Sequence, residues 1–367
     1  MTALMQPRQI VRPLLAWFNR HARPLPWRNN RDPYRIWISE VMLQQTQVKT
    51  VIPYFHRFLQ AFPTLNDLAD ADEQAILRMW EGLGYYRRAR ALGQAGRLLR
   101  DQGYATVPDD PELLRTLPGF GRYTANAVLS QAYDRRLPIL EANSERVLCR
   151  LFGVTANPKS PATRKQLWQY AESLVPARSA GAFNQAIMEL GALVCTPRAP
   201  NCSGCPIKRH CIAAAHGRQE SIPARSRSAA TERVEEVAIV VRRGNRYLLV
   251  QRPPRGRWAG LWEFPHHELL PGESHESAAA RMLATLGLGY ESLEKLGTIK
   301  HQVTRFSITL VGMLALGTAG SVFREGYAAV RWPRHDELAM LPLSSPQRRL
   351  ANLVLEHSTQ GLATPHP

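Results

Sequence analysis

The chain has 367 residues, 44% of them hydrophobic, which is enough for two or three domains and a sizeable core. Forty-seven Lys and Arg against 30 Asp and Glu leave a formal net charge of +17, which favours a polyanionic partner and argues against a small acidic substrate. No apolar run approaches the roughly 18 residues that a membrane helix needs, so no membrane partner is expected.

Taken in order, the N-terminus is rich in Arg and has no acid before Asp32, a bias shared with transit peptides. Trp17, Phe18 and the segment Leu25-Pro26-Trp27-Arg28 read instead as folded material. Amphipathic spacing predicts helices over 37–48, 73–80, 111–117, 122–132, 144–152 and 183–194, each bounded by Pro, Gly, Asp or Asn. Within the first of these, helical spacing stacks Glu40 beneath Gln44, and its apolar company should make the carboxyl hold its proton. Leu117-Pro118-Gly119-Phe120-Gly121-Arg122 follows Asp110-Pro111, a cap and first helical turn. Gly119 and Gly121 permit a helix-hairpin-helix whose backbone N–H groups can approach a phosphate, though a plain turn uses the same glycines. Glu141 follows Leu137-Pro138-Ile139-Leu140 and precedes a helix expected to start at Asn143 or Ser144, whose N-terminus should favour its anion. One protonated acid and one anion suit glycosidic cleavage, while a paired structural acid and a helix-start acid would look the same in sequence.

Four of the five cysteines form Cys195-x6-Cys202-x2-Cys205-x5-Cys211. One short pair with irregular outer spacings fits a four-iron four-sulfur (4Fe-4S) cluster better than zinc or disulfides, and points to a reducing compartment. Cys149 lies on an apolar helix face and reads as a core residue. Residues 212–234 have the composition of a connector. Beyond them, 237–241 and 247–250 flank Gly244-Asn245 as a β-hairpin, 298–316 is strand-like and 277–286 is one helix. The expected organisation is multidomain: an all-α domain over 1–211, a connector over 212–234, and an α+β domain over 235–367. Twelve of the 17 net positive charges fall in 1–211, which places the polyanion-binding face mainly there.

Leu25-Pro26-Trp27-Arg28, the segment from Ser39 to Val48, Gly82-Leu83-Gly84-Tyr85-Tyr86, the hairpin, Phe183-Asn184-Gln185 and the cysteine quartet occur in an order that resembles the MutY-type adenine DNA glycosylases of the helix-hairpin-helix superfamily. The resemblance spans residues 8–350. It implies a helix-hairpin-helix glycosylase domain with an iron–sulfur loop, followed by a Nudix-like α+β domain. The implied activity is monofunctional removal of adenine, extruded from double-stranded DNA containing a mispair with 8-oxoguanine or guanine, by a monomeric cytoplasmic bacterial protein. Carried over by position, Glu40 is the general acid. Tyr123 stands where lyase relatives have lysine, and Asn143 supports the carboxylates. Arg23, Trp27, Leu43 and Gln185 line an adenine pocket. Gln44 and Tyr85 enter the base stack, and Arg28, Gln45, Gly119 and Gly121 contact DNA. Cys195, Cys202, Cys205 and Cys211 hold the cluster.

Two departures stand out. Glu141-Ala142-Asn143 replaces the family's Asp-Gly-Asn, moving a carboxylate by about one methylene, and a shift of about 1 Å can cost on the order of a hundredfold in rate. Val303-Thr304-Arg305 replaces Phe-Ser-His; Thr304 keeps a hydroxyl for a purine edge and Arg305 adds charge. These departures also admit a glycosylase with another mispair preference, or a catalytically silent lesion binder. The Nudix box is degenerate, with Arg281, Ala284 and Thr285 at the metal-binding glutamate positions, so pyrophosphate hydrolysis is not expected.

Overall fold

The computed structural model describes residues 6–224, 231–323 and 326–361. The chain forms two units: Met1–Asp70 with Ala91–Arg227, and Ala71–Arg90 with Ser228–Pro367. The sequence suggests a single boundary, whereas 71–90 belongs by its contacts with the C-terminal unit.

Helices α1 (Pro7–His21), α2 (Pro33–Leu43), α3 (Val48–Ala61) and α4 (Leu65–Asp70) open the chain. They are followed by α5 (Glu73–Met79), α6 (Arg87–Asp101), α7 (Pro111–Thr116), α8 (Arg122–Tyr133) and α9 (Ala142–Phe152), then α10 (Pro161–Leu174), α11 (Ala180–Leu193) and α12 (Ile212–Ala215). Proline with a short oxygen-bearing residue before it sets several starts. Asp32, Asp110 and Ser160 each accept first-turn N–H groups ahead of Pro33, Pro111 and Pro161. The core of the first unit gathers Ile10, Leu14, Trp17, Leu148, Leu167, Phe183 and Leu190 from α1 and α9 to α11. Cys149 is part of it, and burial pushes its thiol up to about 12.

The continuous helix expected over 37–48 is two helices. Gln44 leaves the helical region at ψ 111°, and Gln45 takes φ 59°. This break lets α3 fold back on α2 and bury Val51, Phe55 and Phe58, a tertiary gain invisible in local periodicity. The expected connector also starts too early. Ala213 and Ile222 are buried in the helical core, and Arg150 Nε donates to the Ile222 carbonyl at 2.8 Å. Residues 225–230 of that connector lie outside the described residues, as do 1–5 of the Arg-rich N-terminus.

The second unit is built on a five-stranded sheet. It comprises β1 (Glu232–Arg243), β2 (Arg246–Tyr247), β5 (His266–Glu268), β6 (Ser292–Val303) and β7 (Phe306–Leu316). Its order is β2-β1-β7-β6, with β5 also on β1; the β1–β7 pair is parallel and the others antiparallel. Strands β3 (Leu249–Gln251), β4 (Trp262–Glu263) and β8 (Ala329–Arg331) form a second, antiparallel sheet. The Gly244-Asn245 turn joins β1 and β2 as expected, with Gly244 at φ 59°. Both faces of β1 are covered, which accounts for its nearly continuous apolar run. Val237, Ile239 and Val241 pack on α13 (His275–Thr285), while Ala238 and Val240 share a cluster with Leu350, Ala351 and Val354 of α14 (Ser345–Gly361).

Residues 71–90 are fastened to this unit by directional bonds. Glu81 accepts from Arg348 at 2.7 Å and from the Leu343 N–H at 3.2 Å, and Tyr86 donates to the Leu343 carbonyl at 3.2 Å. Gln74 accepts from the Trp262 indole at 3.0 Å and donates to the Gly260 carbonyl at 3.1 Å.

Candidate active site and a cavity of the second unit

In the first unit, α2 carries Glu40 into the interior, where it is 3% exposed. One carboxyl oxygen accepts from the Tyr123 phenol at 2.6 Å and the other from the Gln131 amide at 2.7 Å, both partners lying on α8. Loss of water around Glu40 pushes its pKa above the usual carboxylate range, although the two hydrogen bonds and Arg28 pull it down and Glu141 pushes it further up. The same burial raises Tyr123, so its phenol remains a donor at neutral pH.

Glu141 is itself the N-cap of α9, a residue earlier than expected. Its carboxylate accepts from the Ser144 N–H at 2.7 Å and the Asn143 N–H at 2.8 Å, and the Asn143 side chain adds a contact at 3.2 Å. The longer side chain thus folds back into the capping position that Asp ordinarily fills, and the helix N-terminus suits its negative charge. Asn143 is fixed in turn by Arg146, which donates to Asn143 at 3.0 Å, to the Gly191 carbonyl at 2.7 Å and to the Cys195 carbonyl at 2.7 Å. A Cβ on Gly191 would stand 2.6 Å from the Asn143 Cβ, so α11 can approach this corner only through glycine.

A cavity of about 390 Å³ is lined by Arg23, Trp27, Arg28, Gln131 and Gln185, which joins three of the four predicted adenine-pocket residues to a partner of Glu40. Leu43, the fourth, is half-buried at the end of α2 and does not line it. Arg28 also departs from expectation. It is only 15% exposed and donates to Glu189 at 3.0 Å, making it a wall of this cavity rather than an outward DNA contact. Glu189 is the residue that the sequence reading missed. It binds Arg23 at three donors, between 2.7 and 2.9 Å, and these charges hold its carboxyl down at about 2 despite burial. Glu189 is the sole acid of the apolar helix α11, so the criterion that found Glu40 would have found it too. Gln44 caps α2 and donates to Thr124 at 3.2 Å instead of stacking over Glu40, while Gln45 is exposed. At the hairpin, Gly119 has φ 80° and Gly121 caps α8; a side chain on Gly121 would meet no protein atom, leaving its first-turn N–H groups approachable.

Cys195, Cys202, Cys205 and Cys211 line one small cavity of about 20 Å³ with Arg150. Arg150 donates to the Cys195 sulfur at 3.3 Å. Burial pushes the Cys205 thiol up to about 11. Among the described residues, no three His, Cys, Asp or Glu side chains gather closely enough for a single metal ion.

In the second unit, a cavity of about 910 Å³ brings together Tyr85, Trp258, His301, Thr304 and Phe306. Tyr85 and Thr304, more than 200 positions apart, are thus neighbours in one wall. Arg305 lies outside this lining; it is 58% exposed and stands 3.5 Å from Glu232.

Residues 38–173 match the HhH-GPD superfamily of base excision DNA repair proteins, and residues 236–353 match the NUDIX domain. Over 400 aligned residues the chain is 34% identical to the adenine DNA glycosylase of Mus musculus, covering 94% of this chain and 77% of that one. The chain belongs to the adenine DNA glycosylase family. The Homo sapiens adenine DNA glycosylase is 35% identical over 356 residues, covering 81% of this chain and 65% of the relative. That of Mycolicibacterium smegmatis is 37% identical over 245 residues, covering 66% and 77%. The solved structure of a thermostable thymine-DNA glycosylase superposes with a TM-score of 0.53 at 29% identity, covering 57% of this chain and 97% of that one. Family membership makes the protein a DNA glycosylase of base excision repair that binds DNA, with a helical glycosylase domain followed by a Nudix-like α+β domain. Among the described residues, no helix is long and apolar enough to cross a membrane.

Proposed function

We propose that the protein hydrolyses, as a monofunctional glycosylase, the N-glycosidic bond of adenine mispaired with 8-oxoguanine or guanine in double-stranded DNA, acting as a monomer. The observation that carries this reading is the buried Glu40 carboxyl, whose burial favours its protonated form and whose hydrogen-bond partner Gln131 lines a cavity with Arg23, Trp27 and Gln185.

In this reading adenine is extruded into that cavity, and Glu40 passes its proton to the purine ring as the bond from C1′ to N9 breaks. The leaving base takes the bonding electron pair, and positive charge develops on the sugar. Glu141, held by the start of α9, stabilises that charge or adds to it covalently, and Asn143 and Arg146 fix its direction. Water then supplies the hydroxyl at C1′ and returns a proton to the carboxylates. Tyr123 holds Glu40 through its phenol and offers no amine, and no lysine lines the cavity, which supports hydrolysis without a Schiff base. The exposed Tyr85, at φ 48°, is the residue of the second unit suited to enter the base stack, with Thr304 reading the opposite purine. Gly119 and Gly121 present backbone N–H groups to a phosphate.

The four cysteines fit a 4Fe-4S cluster. The quartet lines one cavity, as four thiolates that each bind a different iron of one cluster would. When bound, the cluster would supply a rigid closure of 195–211, while Arg150 anchors that loop through the Cys195 sulfur and the Thr196 carbonyl.

Single-turnover release of adenine from duplexes with 8-oxoguanine, guanine or cytosine opposite tests the reading. Release is expected from the first two. Tight binding without release from any duplex would leave a silent lesion binder, and borohydride trapping of an enzyme–DNA adduct would contradict monofunctional hydrolysis.

A further inference from the structure

Among the described residues, seven non-glycine positions have left-handed backbones, and three of them, Tyr85, Trp258 and Thr304, line the 910 Å³ cavity of the second unit. Thr304 opens the two-residue loop between the paired Val303 and Phe306, a position that ordinarily calls for glycine. Side chains held at such φ values cost free energy, and their concentration in one wall marks a surface shaped for a ligand. Of the cations in that wall, Arg90 is spent on Glu73 at 3.1 Å and the Pro254 carbonyl at 2.7 Å, whereas Arg257 is held mainly by aromatic rings. Its guanidinium lies 5.0 Å from the Trp258 ring centre and 5.9 Å from that of Phe306, and 3.9 Å from the buried carboxylate of Glu236. Two rings and a buried anion hold the charge in place before any ligand arrives, while 43% of the side chain remains exposed.

Resting on the proposed adenine–purine mispair specificity, we infer that Arg257 is a specificity-determining residue that donates to the carbonyl oxygens of the purine opposite the target adenine. Guanine and 8-oxoguanine both carry an oxygen at C6, and 8-oxoguanine adds one at C8 on the far side of an N7–H donor; a guanidinium can donate to such a carbonyl oxygen, one at a time in the lesion. Trp258 and Phe306 position Arg257, and Glu236 sets its direction from beneath. Nothing in the local sequence Pro254-Arg255-Gly256-Arg257 separates Arg257 from Arg255; only Arg257 is placed on these rings.

The test is a functional-group comparison on the full-length protein. Binding of wild type and Arg257→Leu is measured by anisotropy on duplexes carrying a non-cleavable 2′-fluoro adenosine opposite 8-oxoguanine, guanine or 2-aminopurine, the last lacking both oxygens. Arg257→Leu is expected to weaken binding on the order of tenfold opposite 8-oxoguanine and guanine, and by less than about twofold opposite 2-aminopurine. Equal losses on all three duplexes, or no loss on any, would overturn the assignment. A wild type that binds 8-oxoguanine and guanine duplexes equally would count against lesion selectivity itself, and the 2-aminopurine comparison would still decide the role of Arg257.

Discussion

The two units solve different problems with different physics. Around Glu40 and Glu141 every functional oxygen is engaged: Tyr123 and Gln131 on one carboxyl, three donors at the head of α9 on the other. Around Tyr85 and Thr304 the constraint lies in the backbone, with unfavourable φ values and an arginine stacked on aromatic rings. Chemistry needs a proton at one atom and a charge at another, which saturated hydrogen bonding fixes. Recognition of a base needs a preformed surface, which main-chain strain can hold open, although the Thr304 hydroxyl here donates to the Val303 carbonyl at 2.7 Å.

The largest expected break in this contrast is Glu40→Gln, which keeps the shape and removes the proton. Adenine release should fall by at least about a hundredfold while DNA affinity changes little, as read by single-turnover rates beside equilibrium binding. In the wild type, the raised Glu40 pKa means that the acid is present at low pH, so the rate should decline as pH rises through that value.

A second prediction concerns stability in the other unit. The His266 side chain is only 7% exposed, and loss of water lowers it from 6.5 to about 4, so the folded form is neutral where the unfolded chain takes a proton. His266 on its own therefore costs stability as pH falls from about 6.5 toward 4, by up to about 3 kcal/mol, while Glu263, 3.6 Å away and pushed up to about 7 by burial, acts in the opposite sense over nearly the same range. Relative to wild type, His266→Gln should gain stability as pH falls through that range in urea unfolding at stepped pH; a difference that does not change with pH would refute the assignment.

Gly191→Ala places a methyl against Asn143 and should cost about 1–3 kcal/mol, with a disproportionate loss of base release because Asn143 holds Glu141. A variant with lowered melting temperature but normal rate would show that the corner tolerates displacement. The smallest effect is expected for Thr304→Gly, which relieves the left-handed strain. It should raise stability by up to about 1 kcal/mol while narrowing the preference for 8-oxoguanine over guanine, measured as a ratio of dissociation constants.

Much of the first site was legible because its signals are local. A lone acid among Ile36, Trp37, Ile38, Val41 and Met42 announces a buried carboxyl, and Asp110-Pro111 announces a helix start. The errors came where a local pattern was extended too far. Regular spacing over 37–48 concealed the break at Gln44, and with it the turning of Gln44 away from Glu40 toward Thr124. The pairing of Arg23 and Arg28 with Glu189 spans more than 160 positions and leaves no periodic trace.

By itself, then, the sequence determined the chemical inventory: two carboxylates in contrasting surroundings, a hairpin with glycines at its turn, four clustered thiols, and a second domain carrying the Thr304 hydroxyl. Tertiary structure alone decided which of these meet. It moved 71–90 into the second unit through Glu81, Tyr86 and Gln74, set Tyr85 in one wall with Thr304, and seated Arg257 on Trp258 and Phe306. Hydrogen-bond capacity and helix capping are properties of neighbouring residues, whereas contacts between distant segments depend on loop closure and on which faces remain to be buried once every element has formed.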